Sequence, residues 1–320
     1  MLGVVAIPGE GGGKGLEQLP RRAPRLRLVA LAEDAGTALL AFVSRRGGIG
    51  EHDARAAIAR GAAFLRGRRV RDPHATVHAG DRVEVDLREP AAPELPRLLH
   101  LDPLVIAVDK PAGVLAQEGR AGGPALPELC SLLLRERGEA ETALLVHRLD
   151  RGTTGVTVLA RTRAAQAALL EEFREGRVTK EYLALCLGEP RADELASDAA
   201  LSADPLVPGK RRPDPRGEPA RTRFRVLRRL QGAALVAAFP ETGRTHQIRA
   251  HLASLGLPIA GDARYGGPRA ITLRDGRRLD VARPLLHALS LALRHPGGSR
   301  LTVEAPEPSD LSEAVRFFAR

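Results

Sequence analysis

Between residues 143 and 160, two apolar runs enclose a polar stretch, and this leaves the chain little local choice. Ala143-Leu144-Leu145-Val146 leads in, and Val156-Thr157-Val158-Leu159-Ala160 leads out. Between them lies His147-Arg148-Leu149-Asp150-Arg151-Gly152-Thr153-Thr154-Gly155. Short branched-apolar runs on either side of a Gly/Thr-rich turn predict strand, loop, strand. The loop then presents one carboxylate, Asp150, among cationic neighbours on a rigid scaffold. Read alone, an Asp before Arg-Gly is a turn residue bonding its own backbone. What lies downstream gives it a chemical reading.

Lys and Arg number 49 against 39 Asp and Glu, a net charge of +10 over 320 residues. The excess predicts a polyanionic partner such as nucleic acid, although a solvated basic surface is the plainer account. Only Lys14, Lys110, Lys180 and Lys210 are lysines; Arg can fork onto phosphate at two points, and GC-rich coding gives the same bias. Cys130 and Cys186 stand far apart with no CxxC pair, which supports neither a disulfide frame nor a zinc knuckle and suits a reducing, cytoplasmic setting. No apolar run approaches the ~20 residues of a membrane span, so no membrane partner is expected. Residues 1–27, with Pro8-Gly9-Glu10-Gly11-Gly12-Gly13, lack a signal-peptide pattern and are expected to be disordered.

Residues 28–88 read as a small separate module. Asp53 can cap a short helix, Ala54 to Arg60, that Gly61 ends; short strands follow at Ala63-Phe64-Leu65 and around Val83, Val85 and Leu87. Between Arg21 and Arg88, 14 Arg face 8 acids, which suits gripping phosphate. Residues 89–97, with three Pro in nine positions, read as a semi-rigid linker to a main domain at 98–320.

In the main domain, Leu104 to Val108 predicts a buried strand and Leu126 to Arg137 a helix with Leu129, Leu132 and Leu133 inward. A second helix over 164–175 stops at Gly176. Along the strand Val178 to Leu187, Leu183, Leu185 and Leu187 share the core face, and Lys180, Tyr182 and Ala184 the other. Residues 188–220 are polar and Pro-rich and predict a long surface loop. Strands follow from Arg221 to Leu227 and from Ala233 to Phe239. Thr245 then caps a helix with Ile248, Leu252 and Leu255 inward, ended by Gly256. Arg249 lies beside that stripe, within reach of a neighbouring loop. Residues Arg283 to Leu289 and Leu301 to Glu304 predict strands, and Ser309 caps a final helix.

Six blocks, in order, resemble the RluA-type RNA pseudouridine synthases over about residues 100–320. They are Asp109-Lys110-Pro111-Ala112-Gly113, the His147 to Gly155 stretch, Lys180-Glu181-Tyr182-Leu183-Ala184, Gly243 to His251, Gly261-Asp262 with Tyr265-Gly266, and Leu286-His287-Ala288. Thr154 stands where that family usually has Ser and keeps the hydroxyl. The resemblance implies an α+β fold: a mixed, mostly antiparallel sheet with flanking helices and a central catalytic cleft. It implies that Asp150 is the catalytic carboxylate, that Tyr182 lines the uracil pocket, that Arg249 pairs with Asp150, and that Arg148 fills the gap left by an extruded base. Arg151, Lys180, Arg244 and His246 are further candidate RNA contacts. Residues 28–88 resemble the alpha-L RNA-binding module through the helix with Ile58 and Gly61, Leu65-Arg66-Gly67-Arg68 and Gly80-Asp81-Arg82-Val83, matching poorly over Leu28 to Gly50. Arg55, Arg60, Arg66 and Arg68 are its candidate contacts. The implied substrate is structured RNA, rRNA or tRNA, taken by a monomer without metal or cofactor.

The chemistry suits these residue types. The bond from C1′ to uracil N1 must break, the base must turn, and C5 must bond to C1′. A stacked uridine must first be flipped out, which a cationic wedge and an aromatic platform assist. A carboxylate near C1′ can stabilise or attack an oxocarbenium-like centre, or take a ribose proton. One rival is a metal-dependent hydrolase using His147, Asp150, His246, His251 and His287, but His246 and His251 are five apart on a helix and do not share a face. The other is an RNA-binding or ribosome-assembly factor without catalysis.

Overall fold

Apolar and charged residues alternate from Arg82 to Asp86, and the fully buried Val83 and Val85 make this strand the floor of an N-terminal core. The computed structural model describes residues 25–87, 95–117 and 125–319, and the chain divides into two units, Met1–Ala91 and Ala92–Arg320. The first contains β1 (Arg25–Val29), α1 (Leu39–Gly47), α2 (Glu51–Ala59), β2 (Ala63–Leu65), β3 (Arg68–Val70) and β4 (Arg82–Asp86). Its antiparallel sheet runs β1-β4-β2-β3. Leu39, Phe42 and Val43 of α1 and Ala54 and Ile58 of α2 close the core.

Several expectations change here. Residues 25–27 belong to β1, not to a disordered start; residues 1–24 lie outside the described residues. Helix α1 was hidden in a short apolar run, Leu39-Leu40-Ala41-Phe42-Val43, and ends on Gly48 in the left-handed region (φ 62°). Helix α2 begins at Glu51 behind Gly50, so Asp53 sits inside its first turn, where its charge favours the helix dipole, and does not cap it.

The second unit opens with β5 (Arg97–Leu101), β6 (Val105–Lys110), α3 (Leu126–Glu136), β7 (Leu144–Leu145), β8 (Thr154–Ala160), α4 (Arg163–Arg174) and β9 (Thr179–Leu187). It continues through β10 (Glu194–Ser197), β11 (Leu201–Ala203), β12 (Arg211–Pro213), β13 (Thr222–Leu230), β14 (Ala233–Pro240) and α5 (Gln247–Ser254). The hairpin β15 (Ala270–Thr272) and β16 (Arg278–Asp280), then β17 (Leu286–Arg294), β18 (Arg300–Glu304) and α6 (Ser309–Ala319), complete it. Ten strands form one sheet in the order β10-β13-β14-β9-β17-β8-β6-β5, with β18 beside β17 and β7 beside β8. Pairing is antiparallel except between β8 and β17, where His287 stands opposite Thr154. The sheet is therefore mixed and mostly antiparallel, and the fold is α+β.

Alternation explains the layers. Val105 and Ala107 of β6 pack with Leu169 of α4, whereas Ile106 and Val108 pack with Leu126 and Cys130 of α3. Opposite faces of one strand thus meet different helices. Helices α5 and α6 cover the β9–β14 region through Ile248, Leu252, Leu311, Val315 and Phe318. Ala184 and Cys186 are as buried as Leu183 and Leu185, so β9 is covered on both faces there, not on the Leu face alone.

Segment 188–220 is not one loop: β10 extends the sheet edge beside β13, and β11 and β12 form a hairpin. Helix α5 starts after His246, which occupies the left-handed region (φ 57°, ψ 19°), so Thr245 is not its cap. Leu255 at that helix's end and Leu132 on α3 are each 37% exposed and do not face the core. Of the expected linker, residues 89–94 lie outside the described residues, and Arg97 opens β5. Among the described residues, no helix is long and apolar enough to cross a membrane.

Candidate active site

The loop between β7 and β8 is anchored residue by residue. His147 turns inward, stacks on Phe173 of α4 (ring centroids 4.6 Å apart) and accepts the Val158 N–H on Nε2 at 2.9 Å. Burial, with some repulsion from Lys180, pushes its pKa down to about 3, so it is a neutral pin. Leu149 is buried, and the Thr153 N–H donates to the Asp150 carbonyl at 3.0 Å, closing the turn. The Thr154 hydroxyl pairs with His287 Nδ1 at 2.9 Å. Lys110, fully buried, donates to the carbonyls of Pro111 (3.0 Å), Val114 (3.1 Å) and Arg151 (3.4 Å). Arg283 Nη1 reaches the Gly152 carbonyl at 3.3 Å. At the loop's far end, Gly155 (φ 111°) meets β17 so closely that a Cβ would lie 2.2 Å from the Ala288 carbonyl oxygen.

This rigid loop places Asp150 in a cleft of about 780 Å³. Arg249, on α5, donates from Nη1 to Asp150 Oδ2 at 3.0 Å. Its Nε and Nη2 fork onto Asp262 at 2.7 and 2.8 Å, and Asp262 is 1% exposed. Burial alone would lower the Arg249 pKa; the hydrogen bonds and charges of Asp262 and Asp150 outweigh it and raise it. The Tyr265 ring lies 5.0 Å from the guanidinium carbon. His246 Nε2 stands 3.8 Å from Asp150 Oδ2, and its Nδ1 lies 3.1 Å from the Tyr265 hydroxyl. Tyr182 of β9 lines the same cleft; desolvation and then the Asp150 charge raise its pKa, so it presents a neutral phenol.

The structure gathers Asp150, Tyr182, Arg249, Arg148, Lys180, Arg244 and His246 around one cleft. Arg148 is exposed at its edge, Lys180 donates to the Thr242 carbonyl at 3.3 Å, and Arg244 is held by the Pro219 carbonyl (3.0 Å) and Glu218 (3.2 Å). Arg151 is outside the lining, its Nε donating to the Gly113 carbonyl at 3.0 Å. In the first unit, Arg66 is forked onto Asp81 (2.7 and 2.9 Å), Arg55 pairs with Glu51 (2.8 Å), Arg60 donates to the Asp86 carbonyl (2.8 Å), and Arg68 is exposed. The histidines do not converge: His251 bonds Thr222 and the Ala199 carbonyl, and His287 bonds Thr154. Among the described residues, no group of three or more His, Cys, Asp and Glu side chains could hold a metal ion.

Sequence reasoning assigned no role to Asp262 or Tyr265. The Gly261-Asp262 and Tyr265-Gly266 pairs were visible as a block, but their partners, Arg211, His246 and Arg249, lie elsewhere in the chain. Gly261 (φ 80°) is the one local signal, since a Cβ there would lie 2.0 Å from the Arg283 carbonyl oxygen.

Residues 104–254 match the sequence profile described as RNA pseudouridylate synthase. Ribosomal large subunit pseudouridine synthase C of Salmonella typhimurium is 32% identical over 92% of this chain and 97% of that protein. Ribosomal large subunit pseudouridine synthase D of Nitrosomonas europaea is 36% identical over 69% of this chain, and the match spans 64% of that protein. The structure of human RNA pseudouridylate synthase domain containing 4 superposes with a TM-score of 0.55 at 26% identity, covering 69% of this chain and 92% of that one. The fold of the second unit is that of the pseudouridylate synthase domains. The chain belongs to the RNA pseudouridylate synthase family, isomerases that convert uridine to pseudouridine in RNA.

Proposed function

We propose that the protein isomerises specific uridines in the RNA of the large ribosomal subunit, with Asp150 as the catalytic carboxylate acting on a flipped-out nucleotide. The relatives named for the large ribosomal subunit favour rRNA over tRNA. The observation that carries the reading is the placement of Asp150 in the cleft, 3.0 Å from a buried Arg249 and sharing the lining with Tyr182. The guanidinium orients the carboxylate and balances its charge where water is scarce. In this reading Tyr182 offers a neutral aromatic face to the base, and Arg148, exposed on the cleft lining, enters the stack the base leaves. In the reaction, N1–C1′ breaks, the uracil rotates, C5–C1′ forms, C5 loses its proton and N1 gains one, so the product is an isomer. Asp150 can serve by stabilising or attacking C1′ or by taking a ribose proton.

Asp150→Asn keeps shape and removes charge. The expected result is no release of tritium from C5-labelled uridine in RNA, with unfolding midpoint and RNA affinity close to wild type. Turnover like that of the wild type would sink the assignment, and an inactive wild type that still binds RNA would favour a binding factor. Activity is also expected to survive exhaustive chelation; loss with EDTA and recovery with zinc would revive the hydrolase reading.

A further inference from the structure

Tyr265 is 7% exposed, and its hydroxyl has two neighbours. The Arg211 backbone N–H donates to it at 2.8 Å. The phenol's single proton is then left for the other neighbour, His246 Nδ1, at 3.1 Å. With Nδ1 accepting, a neutral imidazole carries its proton on Nε2. That nitrogen faces Asp150 Oδ2 at 3.8 Å, too far for a hydrogen bond, and no hydrogen bond among the described residues uses it. Desolvation lowers the His246 pKa and, with repulsion from Arg249 and Arg264, outweighs the attraction of Asp150, favouring the neutral ring.

The backbone fixes the same imidazole from its other end. His246 occupies the left-handed region (φ 57°, ψ 19°), which a non-glycine residue seldom adopts without a constraint. The constraint is Gln247, 4% exposed, whose Oε1 accepts from the Thr242 hydroxyl (2.7 Å) and the Arg244 N–H (2.9 Å). Its Nε2 donates to the Arg221 carbonyl (2.9 Å) and the Thr222 hydroxyl (3.0 Å).

We propose that Tyr265 is a positioning residue of the reaction. Through His246 Nδ1 it fixes the Nε2–H tautomer, which presents one N–H donor beside Asp150 to an acceptor oxygen of the bound nucleotide. This rests on the reading of the cleft as the isomerisation site. The Tyr265 ring also packs on Arg249, so Tyr265→Phe is the informative change: it keeps the ring and removes only the hydroxyl.

The test joins histidine nitrogen NMR on the full chain to single-turnover rates on RNA. In the wild type, His246 is expected as the Nε2–H form; in Tyr265→Phe, as a mixture of tautomers. The rate should fall about tenfold, the worth of one directed hydrogen bond, with RNA affinity unchanged. In a His246→Gln background the side-chain amide presents a donor without any tautomer to fix, so adding Tyr265→Phe should cost less than about twofold. A wild-type His246 carrying its proton on Nδ1, or equal losses in both backgrounds, would overturn the proposal, the second outcome showing that Tyr265 acts by packing alone. Failure of the isomerase reading would look different: no wild-type turnover, whatever the tautomer.

Discussion

At the scale of single residues, Arg249 carries the charge balance of the cleft. Three of its nitrogens face two carboxylates, and the inner one, Asp262, is almost wholly buried. Asp262→Ala leaves a buried cation with one partner. Breaking such a pair costs about 3–5 kcal/mol, so a lower urea midpoint with unchanged slope is expected, together with a lower single-turnover rate as Arg249 loses its orientation. Lys110 makes a second, pH-dependent case. Burial first, then the nearby Arg283, brings its pKa from 10.5 down to about 8. Below about 8 it is charged folded and unfolded, and its burial subtracts from stability. Between about 8 and 10.5 the unfolded chain keeps a proton that the folded chain releases, so stability rises with pH over that window. The unfolding free energy of wild type minus that of Lys110→Met should therefore rise between pH 7 and pH 10, by on the order of 3 kcal/mol. A flat difference would mean that folded Lys110 keeps its proton.

At the scale of elements, the parallel contact between β8 and β17 is the seam on which the Asp150 loop rests. Gly155 makes it possible. Gly155→Ala drives a methyl into the Ala288 carbonyl at an unfavourable φ of 111°, and a loss above about 4 kcal/mol is expected, read as a protein that unfolds or fails to accumulate. Gly113→Ala, at φ 86° with open space around it, should cost only about 1 kcal/mol. The seam was not legible in the sequence, because Gly155 looked like an ordinary turn glycine and its partner lies far along the chain. Local signals did show the β7–loop–β8 unit, α4, β14 and α6 through their hydrophobic period, although Ser309, expected to cap α6, is its first helical residue. They failed for α1, an amphipathic helix only nine residues long, and for β10 to β12, strands of three or four residues in a polar, Pro-rich segment that suits a loop equally well. The site followed the same rule. Asp150 and Arg249 sit in motif blocks that the sequence displays, whereas Asp262 and Tyr265 draw their roles from partners that only folding supplies.

At the scale of the whole molecule, each unit has its own core: among the described residues, the cluster that holds Phe42, Val43, Ile58 and Val85 is built from the first unit. We propose that the first unit adds RNA affinity and no chemistry. Its Arg66 is committed to Asp81, which leaves Arg68 and its exposed neighbours as the better phosphate contacts. Each phosphate contact adds roughly 0.7–0.9 to the log–log slope of affinity against salt. Removing residues 1–91 should weaken RNA binding and flatten that slope while turnover at saturating RNA persists. An unchanged slope would show that the unit does not touch RNA, and a folded but inactive truncation would tie it to the chemistry.

The seam between β8 and β17 also sets a schedule. Asp150 emerges from the ribosome long before Leu286 and His287, which complete the wall and the strand pairing beneath it. At roughly 5–20 residues per second, several seconds to about half a minute separate the two events. During that interval the carboxylate exists without its floor. A chain stalled after Asp150 and before Leu286 therefore carries the Asp150 loop without the strand that pairs beneath it.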